Sequence, residues 1–279
     1  MDSTHITEIK PEKPLFHLGL RDVWRYRDLV MLMVRRDFVA TYKQTVLGPI
    51  WFFIQPLFTT LIFTFLFAKM GKLSTDGLPP ILFYLCGITF WNYFSSCLKI
   101  NSTTFIMNQG VFGKVYFPRL VIPISVTISN LVKLGIQFIL FLVIYMYFII
   151  QGNTVQITGY IVYLPLNIIL LGLMGLALGI LFSSLTTKYR DLTYLLDFGV
   201  QLLMYATIIF PVSAFPENFK WMAKFNPIMP LIETTKLGLL GLGTFDLTSY
   251  LSSIAFTVIC LLVGIISFNK TEQNFMDVV

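Results

Sequence analysis

The chain has 279 residues, of which 56% are hydrophobic and 12% are charged, and its formal net charge is +6. Soluble proteins carry about 25% charged residues, so this composition excludes an ordinary soluble domain and indicates an all-α integral membrane protein. The positive charge would also suit a nucleic-acid-binding protein. However, the lysines and arginines lie between apolar segments, where they act as determinants of membrane topology, so no nucleic-acid partner is expected.

The N-terminal region, residues 1–43, is predicted to be a cytoplasmic tail followed by amphipathic helices in the membrane interface. Leu20, Val23 and Trp24 share one face of a first short helix, and Asp28 can cap a second helix over residues 29–42. Basic amphipathic helices directly before a spanning segment are typical of the membrane surface. An ordinary pair of soluble amphipathic helices is the alternative interpretation.

Residues 44–270 contain six apolar segments and predict six transmembrane helices, since a bilayer core needs about 20 helical residues. Gly48 and Pro49 are expected to start the first helix, because proline at a first helical position needs no backbone donor. Pro56 lies inside that helix, and Pro118 restarts the third one. The segments are residues 44–68, 78–98, 120–150, 160–186, 192–210 and 248–268, and residues 271–279 form a polar tail.

The distribution of basic residues predicts the orientation. The two termini, the loop 99–119 and the loop 188–191 share one side and carry fourteen lysines and arginines, against five on the other side. Positive residues mark the cytoplasm, so both termini are expected there. The external side contains residues 212–247, where single prolines interrupt short aromatic stretches. We expect this part to be an external re-entrant segment in the outer leaflet, with an interfacial loop as the alternative.

No enzyme site is predicted from the reactive side chains. Both histidines lie in the N-terminal tail, and the three cysteines lie in apolar segments without a second ligand nearby. Gly110, Gly113 and Lys114 do not form a phosphate-binding P-loop, because that motif needs four residues between its glycines and Ser or Thr after the lysine. We therefore expect no metal, no cofactor and no ATP site in this chain.

Two aromatic stripes on helical faces carry the main hypothesis about function. An aromatic face with hydrogen-bonding amides suits a sugar, whose C–H faces stack while its hydroxyls need partners. Packing between helices explains the same spacing equally well. The stripes are Tyr194, Phe198, Gln201 and Tyr205 on the fifth segment, and Trp51, Gln55 and Phe58 on the first.

Two further features lie within the apolar segments. Lys133 and Asp197 are the plausible intramembrane ion pair, unless Lys133 extends to the interface and Asp197 caps a turn. Gly175 and Gly179, with Gly172 nearby, form a small-residue face of the kind that packs helices closely.

Five short motifs in register resemble ABC-2 type permeases that export polysaccharides, and the resemblance covers residues 20–275. The motifs are Arg36-Asp37, Tyr42-Lys43, Leu47-Gly48-Pro49-Ile50-Trp51 and Gln55-Pro56 at the first helix; Asn108 and Val115-Tyr116-Phe117-Pro118-Arg119, with Pro123, in the next; Tyr189-Arg190-Asp191; Phe210-Pro211-Val212-Ser213; and Asn226-Pro227 with Pro230-Leu231-Ile232-Glu233.

This resemblance implies half of an exporter in a bacterial plasma (inner) membrane. Two copies would form a homodimer whose first and fifth segments line a pore for a lipid-linked glycan, such as O-antigen, capsule or teichoic acid. Two copies of a separate ABC ATPase would bind ATP-Mg and dock on the interface helix and on a coupling helix, residues 104–116. The coupling residues would be Asn108, Gly110, Gly113, Lys114 and Arg119, and the structural motif residues would be Gly48, Pro49, Pro56, Pro118, Arg190, Asp191, Asn226 and Pro227.

Three alternatives stay open at this point. They are a small-molecule or haem exporter of the same superfamily, a membrane-embedded enzyme of glycan or lipid synthesis, and a passive channel or scaffold. An exporter needs an ATPase partner, whereas an enzyme would form product without ATP and a channel would need no partner.

Overall fold

The computed structural model describes residues 20–43, 48–112, 114–115, 117–152, 155–212 and 220–278. These ranges contain twelve α-helices and no β-strand, as expected for an all-α protein. The helices are α1 (Leu20–Arg25), α2 (Arg27–Lys43), α3 (Trp51–Phe63), α4 (Pro80–Asn101), α5 (Thr104–Met107), α6 (Gln109–Phe112), α7 (Val121–Ile150), α8 (Leu164–Thr186), α9 (Leu192–Ile208), α10 (Lys220–Phe225), α11 (Met229–Leu240) and α12 (Leu247–Val278).

Five helical stretches are long and apolar enough to cross a membrane, one fewer than the six predicted. They are Gly48–Met70, Pro80–Asn101, Val121–Ile150, Gly159–Thr186 and Leu247–Gln273. The fifth predicted segment is present as the apolar helix α9, but α9 has only 17 residues. At 1.5 Å per residue it is about 25 Å long, slightly less than the hydrocarbon thickness of a typical bilayer.

Helix α2 packs along α7 and buries Val30, Met33 and Val34. It begins at Arg27, so Asp28 lies inside its first turn and not before the helix as predicted. In α1, Val23 is buried against the protein, but Trp24 is exposed. The two residues therefore do not share one buried face as predicted. The exposed apolar side chains of this region, Trp24, Met31 and Leu32, suit contact with lipid.

The first membrane helix starts at the predicted break. Gly48 has a φ of 51°, in the left-handed region that glycine adopts without steric cost. A 3₁₀ turn, Gly48–Ile50, leads into α3 at Trp51, and Pro56 lies inside α3 without ending it. The helix then widens into π-helical turns, Thr64–Met70.

The core is built around α4, which packs against α7 and α8. Side chains added at three glycines of α8 would collide with α4: a Cβ at Gly172 would meet the Tyr93 hydroxyl, one at Gly175 would lie 2.7 Å from Cys97 Cβ, and one at Gly179 would meet Asn101 Cβ. The predicted small-residue packing face is therefore confirmed. Helix α12 packs along the opposite side of α8, where a Cβ on Gly264 would lie 2.7 Å from the Ala177 carbonyl.

Residues 220–240 form two helices where broken half-turns were predicted. The longer one, α11, has 12 residues and buries ten of them against α4, α8 and the 3₁₀ turn Gly159–Tyr163. Its length is about 18 Å, too short to cross a bilayer. Asn226 connects α11 to α9: its amide donates to the Thr207 hydroxyl at 2.8 Å, and its carbonyl accepts from the Ile228 N–H at 3.0 Å.

Candidate functional site

The aromatic stripe on α9 lies on the outside of the single chain. Tyr194 is 79% exposed and Phe198 is 60% exposed, and Gln201 is exposed as well. The Gln201 amide donates to the Tyr205 hydroxyl at 3.2 Å, so these two polar groups lie side by side on the helix face. Core packing within one chain therefore does not explain why aromatic side chains occur at Tyr194 and Phe198.

The stripe on α3 is exposed in the same way. Trp51 and Phe58 each expose half or more of their surface, and Gln55 is exposed between them. In contrast, Pro56 and Thr60 on the other face of α3 are buried, and the Thr60 hydroxyl donates to the Pro56 carbonyl at 2.7 Å. Thus α3 has a face packed on its own chain and an aromatic face that is free to meet another molecule.

The two stripe-bearing helices meet at one end through aromatic rings. The Tyr205 ring lies 6.1 Å from the Phe63 ring, and Phe63 also contacts the Tyr84 ring edge-on at 5.9 Å. Phe67, in the π-helical turns, packs on Phe63 at 5.2 Å. Sequence spacing did not find Phe63 or Tyr84, because both belong to the contact between helices and not to either stripe.

At its other end α9 is held by an ion pair with α4. Asp197 Oδ1 lies 2.9 Å from Lys99 Nζ, and both side chains remain partly exposed. The predicted pairing of Asp197 with Lys133 is therefore wrong. Lys133 lies on α7 and lines a separate cleft with Arg36 and Asp37. Lys99 had been assigned only to a loop, whereas it belongs to the last turn of α4.

The loop 99–119 forms two single-turn helices, α5 and α6, and not the single coupling helix that was predicted over residues 104–116. The break occurs at Asn108, whose amide donates back to the Thr104 carbonyl at 2.9 Å. Gly110 and Lys114 are exposed and available to a partner, whereas Gly113 lies outside the described residues. Pro118 accepts the backbone bond from Val121 that leads into α7.

Arg119 connects this loop to the end of the chain. Its guanidinium donates to the Glu272 carbonyl at 2.8 Å, lies 3.9 Å from the Glu272 carboxylate and covers the Phe112 ring at 5.3 Å. Burial lowers the pKa of Arg119, while the Glu272 carboxylate raises it. Because arginine is not deprotonated in proteins, the side chain stays charged and holds the loop against α12. Its contact with an ATPase stays a prediction.

The loop before α9 places the remaining motif residues at the surface. Arg190 and Asp191 are both exposed, and the Arg190 carbonyl accepts the Thr193 hydroxyl at 2.7 Å. Asp191 occupies the N-cap position of α9, although its side chain makes no capping bond. Pro227 follows Asn226 in the connection between α10 and α11.

A buried ion pair inside α11 had not been predicted. Lys236 Nζ lies 2.9 Å from Glu233 Oε1, with side-chain exposures of 1% and 3%, and the ammonium group lies 3.8 Å from the centre of the Phe83 ring. The pair is readable as an i, i+3 spacing of opposite charges. It was missed because Lys236 was counted among the external basic residues and α11 was read as broken half-turns.

The described residues contain no cluster of His, Cys, Asp and Glu that could hold a metal ion. Comparison with known proteins gives the chain its family, since the model of ABC-2 type transporters matches residues 28–240. The chain belongs to the ABC-2 type transporter family. The match runs from the first turn of α2 to the last residue of α11, so it includes both stripes, the loop 99–119 and the buried ion pair of this ABC-2 chain.

Individual relatives of this ABC-2 chain are similar along most of their length. An O-antigen export system permease protein RfbA from Klebsiella pneumoniae is 28% identical over 254 residues, which cover 90% of this chain and 95% of the relative. A protein of the same name from Myxococcus xanthus is 26% identical and covers 76% and 80%. The polysialic acid transport protein KpsM of Escherichia coli is 23% identical and covers 86% and 92%. The earlier resemblance to polysaccharide-exporting ABC-2 permeases is thereby confirmed.

Proposed function

We propose that this chain is the membrane permease of an ATP-driven exporter that moves a lipid-linked polysaccharide out of the cytoplasm. Among such polysaccharides, O-antigen is the substrate that we propose. The observation that carries the proposal is the pair of exposed aromatic and amide stripes on α3 and α9. The names of the relatives, which specify O-antigen export and polysialic acid transport, support a glycan over haem or another small molecule.

The stripes suit a glycan because they offer hydrogen-bond partners to its hydroxyls, which are costly in free energy to bury unpaired in a membrane. An unpaired hydroxyl in an apolar medium costs several kcal/mol, so a sugar chain needs exchangeable polar partners along its whole path. Gln55 and Gln201 supply such partners, and the aromatic rings stack on the apolar faces of the sugars. No single contact is strong, so the chain can slide.

The exposure of the stripes supports a homodimer as part of this proposal. Half of a conduit is useful only if a second copy closes it, and the aromatic faces of α3 and α9 are large apolar surfaces that one chain leaves open. We propose that α3 and α9 of two copies enclose the path around a common axis. In this arrangement α9 is the fifth of six spans, and α11 is the re-entrant segment that enters the outer leaflet.

Energy would come from a separate subunit. The sequence lacks a P-loop, so two copies of an ABC ATPase would bind ATP-Mg and dock on the loop 99–119 and on α2. Membership of the ABC-2 family supports a bacterial inner membrane as the location, and the fourteen-to-five distribution of basic residues supports cytoplasmic termini.

Reconstitution tests this function. The chain and its proposed ABC ATPase partner are placed in liposomes with a radiolabelled lipid-linked oligosaccharide, and the label that an external glycosidase can reach is followed. We expect the accessible label to change only with ATP and both proteins present. Product formation without ATP would instead indicate an enzyme, and ATP-dependent movement of haem with the glycan left in place would indicate a different exporter.

A further inference from the structure

A polar cleft lies between α2 and α7, away from the aromatic stripes. It has a volume of about 260 Å³. The residues that define it are Arg36, Asp37, Asn108, Ser129, Asn130 and Lys133. A second cleft of about 320 Å³, which extends to Lys99, shares Asn108 and the apolar residues Ile100, Ile122 and Val126 with it. The two therefore form one groove at the end of the bundle where α4 ends and α7 begins.

The charges of the polar cleft are not balanced. Arg36 is neutralised by Asp37, whose Oδ1 accepts from Arg36 Nη2 at 2.8 Å and from Nε at 3.0 Å. Lys133 has no carboxylate within 4 Å among the residues that the structure describes. The lining of the cleft thus contains two cations and one anion, which leaves one surplus positive charge, and Asp37 attracts both Arg36 and Lys133.

The wall of the cleft also has polar atoms without partners. Ser129 and Asn130 are 3% and 2% exposed, and neither the Ser129 hydroxyl nor the two polar atoms of the Asn130 amide has a hydrogen-bond partner. The nearby Cys97 thiol is only a weak hydrogen-bonding group and does not replace an oxygen or nitrogen partner. Buried polar groups are normally paired, so these atoms indicate a missing ligand.

The donors and the surroundings together specify the chemistry of that ligand. The residues that carry an ammonium group, an amide NH₂ and a hydroxyl all line the cleft, and these three groups can donate to an oxygen-rich anion such as a phosphate. Beside them, α7 exposes the apolar side chains Ile128, Leu131 and Val132. An anion with an apolar tail matches both features at once.

We infer that the polar cleft between α2 and α7 binds the phosphate of a lipid headgroup, held by Lys133, Asn130 and Ser129. The bound lipid would extend its chains along the apolar face of α7. It would also cover the contact through which the interface helix α2 is attached to the bundle. The site differs from the proposed glycan conduit, which uses α3 and α9, and it does not depend on which polymer is exported.

Native mass spectrometry of the purified chain with its ATPase tests this inference. After extraction into mild detergent we expect phosphate-bearing lipid to remain bound at about one molecule per chain. Lys133→Met should weaken retention about fivefold, the factor that corresponds to about 1 kcal/mol for one lysine near lipid phosphate. Asn130→Leu, of similar volume, should weaken it as well. The matched control is Lys69→Met, which removes a lysine from the π-helical turns and should leave retention unchanged.

Adding defined lipids to delipidated protein separates the two possible sources of the phosphate. Short-chain phosphatidylglycerol represents the bilayer, and farnesyl diphosphate represents a polyprenyl carrier. Binding of either one that is lost in Lys133→Met supports the site, and the tighter ligand identifies the source. The inference is overturned if wild type retains and binds neither lipid, in which case the cleft holds water only. It is also overturned if Lys133→Met and Asn130→Leu, with unchanged thermal stability, bind lipid as the wild type does.

Discussion

The guanidinium of Arg119 donates a hydrogen bond of 2.8 Å to the backbone carbonyl of Glu272, 153 residues further along the chain. Phe105, in α5, also contacts α12: its ring stacks on the Phe268 ring with a distance of 4.5 Å between the ring centres. The short helices α5 and α6 are therefore fastened to the end of α12. We expect a displacement of the loop 99–119 to act on this part of α12 as well.

Removing the Arg119 contact should destabilise the chain. We expect Arg119→Met to lower the free energy of unfolding by about 1.5–3 kcal/mol, the range for a hydrogen bond to a charged group. Lys114→Ala, at an exposed position of the same loop, is the control and should change stability by less than about 0.5 kcal/mol. Thermal unfolding in detergent measures both. Equal stabilities of the two variants would show that the Arg119 contact contributes nothing.

The coupling surface can be tested at Gly110. A Cβ added there would meet nothing within 4 Å, and the same holds for Gly135 on α7. Gly110→Trp should therefore leave the chain folded and inserted but block ATPase binding by steric clash, whereas Gly135→Trp should allow binding. Co-purification of the ATPase with each variant is the measurement. If the Gly110→Trp chain brings down as much ATPase as wild type, this face is not the docking site.

The proposed orientation predicts a labelling pattern. Cysteines are introduced one at a time at Gly110 and at Phe225 in a cysteine-free background, since both positions are exposed. In intact cells a membrane-impermeant maleimide should label position 225 and not position 110. Labelling of both positions after the membrane is opened confirms that both sites react. The reverse pattern in intact cells would place the termini outside.

The aromatic stripe should be needed for export and not for folding. Phe198→Ala should reduce export several-fold at unchanged protein level, because Phe198 is largely exposed in the single chain. Gln201→Leu should slow export more than Leu202→Ala, since only the first removes a partner for glycan hydroxyls and both positions are exposed. Export is followed with the radiolabelled substrate. Unchanged export in Phe198→Ala would make this face a lipid or protein contact.

Tyr205 calls for a separate measurement, because its ring also packs on Phe63. Tyr205→Phe keeps the ring contact and removes the hydroxyl that accepts from Gln201. We expect Tyr205→Phe to keep wild-type stability and to reduce export, whereas Tyr205→Ala should reduce both. Identical export by Tyr205→Phe and wild type would assign Tyr205 to packing alone.

The ion pair inside α11 should show strong coupling between its members. Lys236→Met or Glu233→Leu alone leaves one buried charge without its partner, which costs about 3–5 kcal/mol. The double variant should recover much of this loss, because it leaves no buried charge. Thermal unfolding of the four proteins completes a double-mutant cycle. Additive losses would mean that the two charges do not stabilise each other.

Much of the fold could be predicted from the sequence where the information is local. Gly48 and Pro49 mark the start of α3 because a left-handed backbone and a missing N–H are properties of single residues. The apolar runs predicted α4, α7, α8 and the start of α12 within a few residues, since length and composition are enough for a membrane helix. However, α12 continues to Val278, through most of the predicted polar tail.

Features that depend on how the helices pack together could not be predicted from the sequence in this way. The spacing of Tyr194 and Phe198 defines a face of α9, but only the folded chain shows that this face is exposed. Asp197 has two lysines on other helices as possible partners, and the position of α4 selects Lys99. Pro230 was read as a helix breaker, yet it lies in the first turn of α11, where proline costs no hydrogen bond.

The glycine contacts of α8 divide the bundle into a rigid part and a movable part. Gly175 and Gly179 let the backbones of α4 and α8 approach so closely that an added Cβ would meet backbone carbonyls of α4, and Gly264 allows the same close approach of α12 to the opposite side of α8. Helix α9 meets its neighbours through side chains: Leu196, Val200 and Ile208 are buried in the core, Asp197 pairs with Lys99, and Thr207 accepts from Asn226. We therefore expect an alternating cycle to keep α4, α8 and α12 as a static frame and to displace α9, so that the proposed conduit opens by movement of its lining and not by distortion of the core.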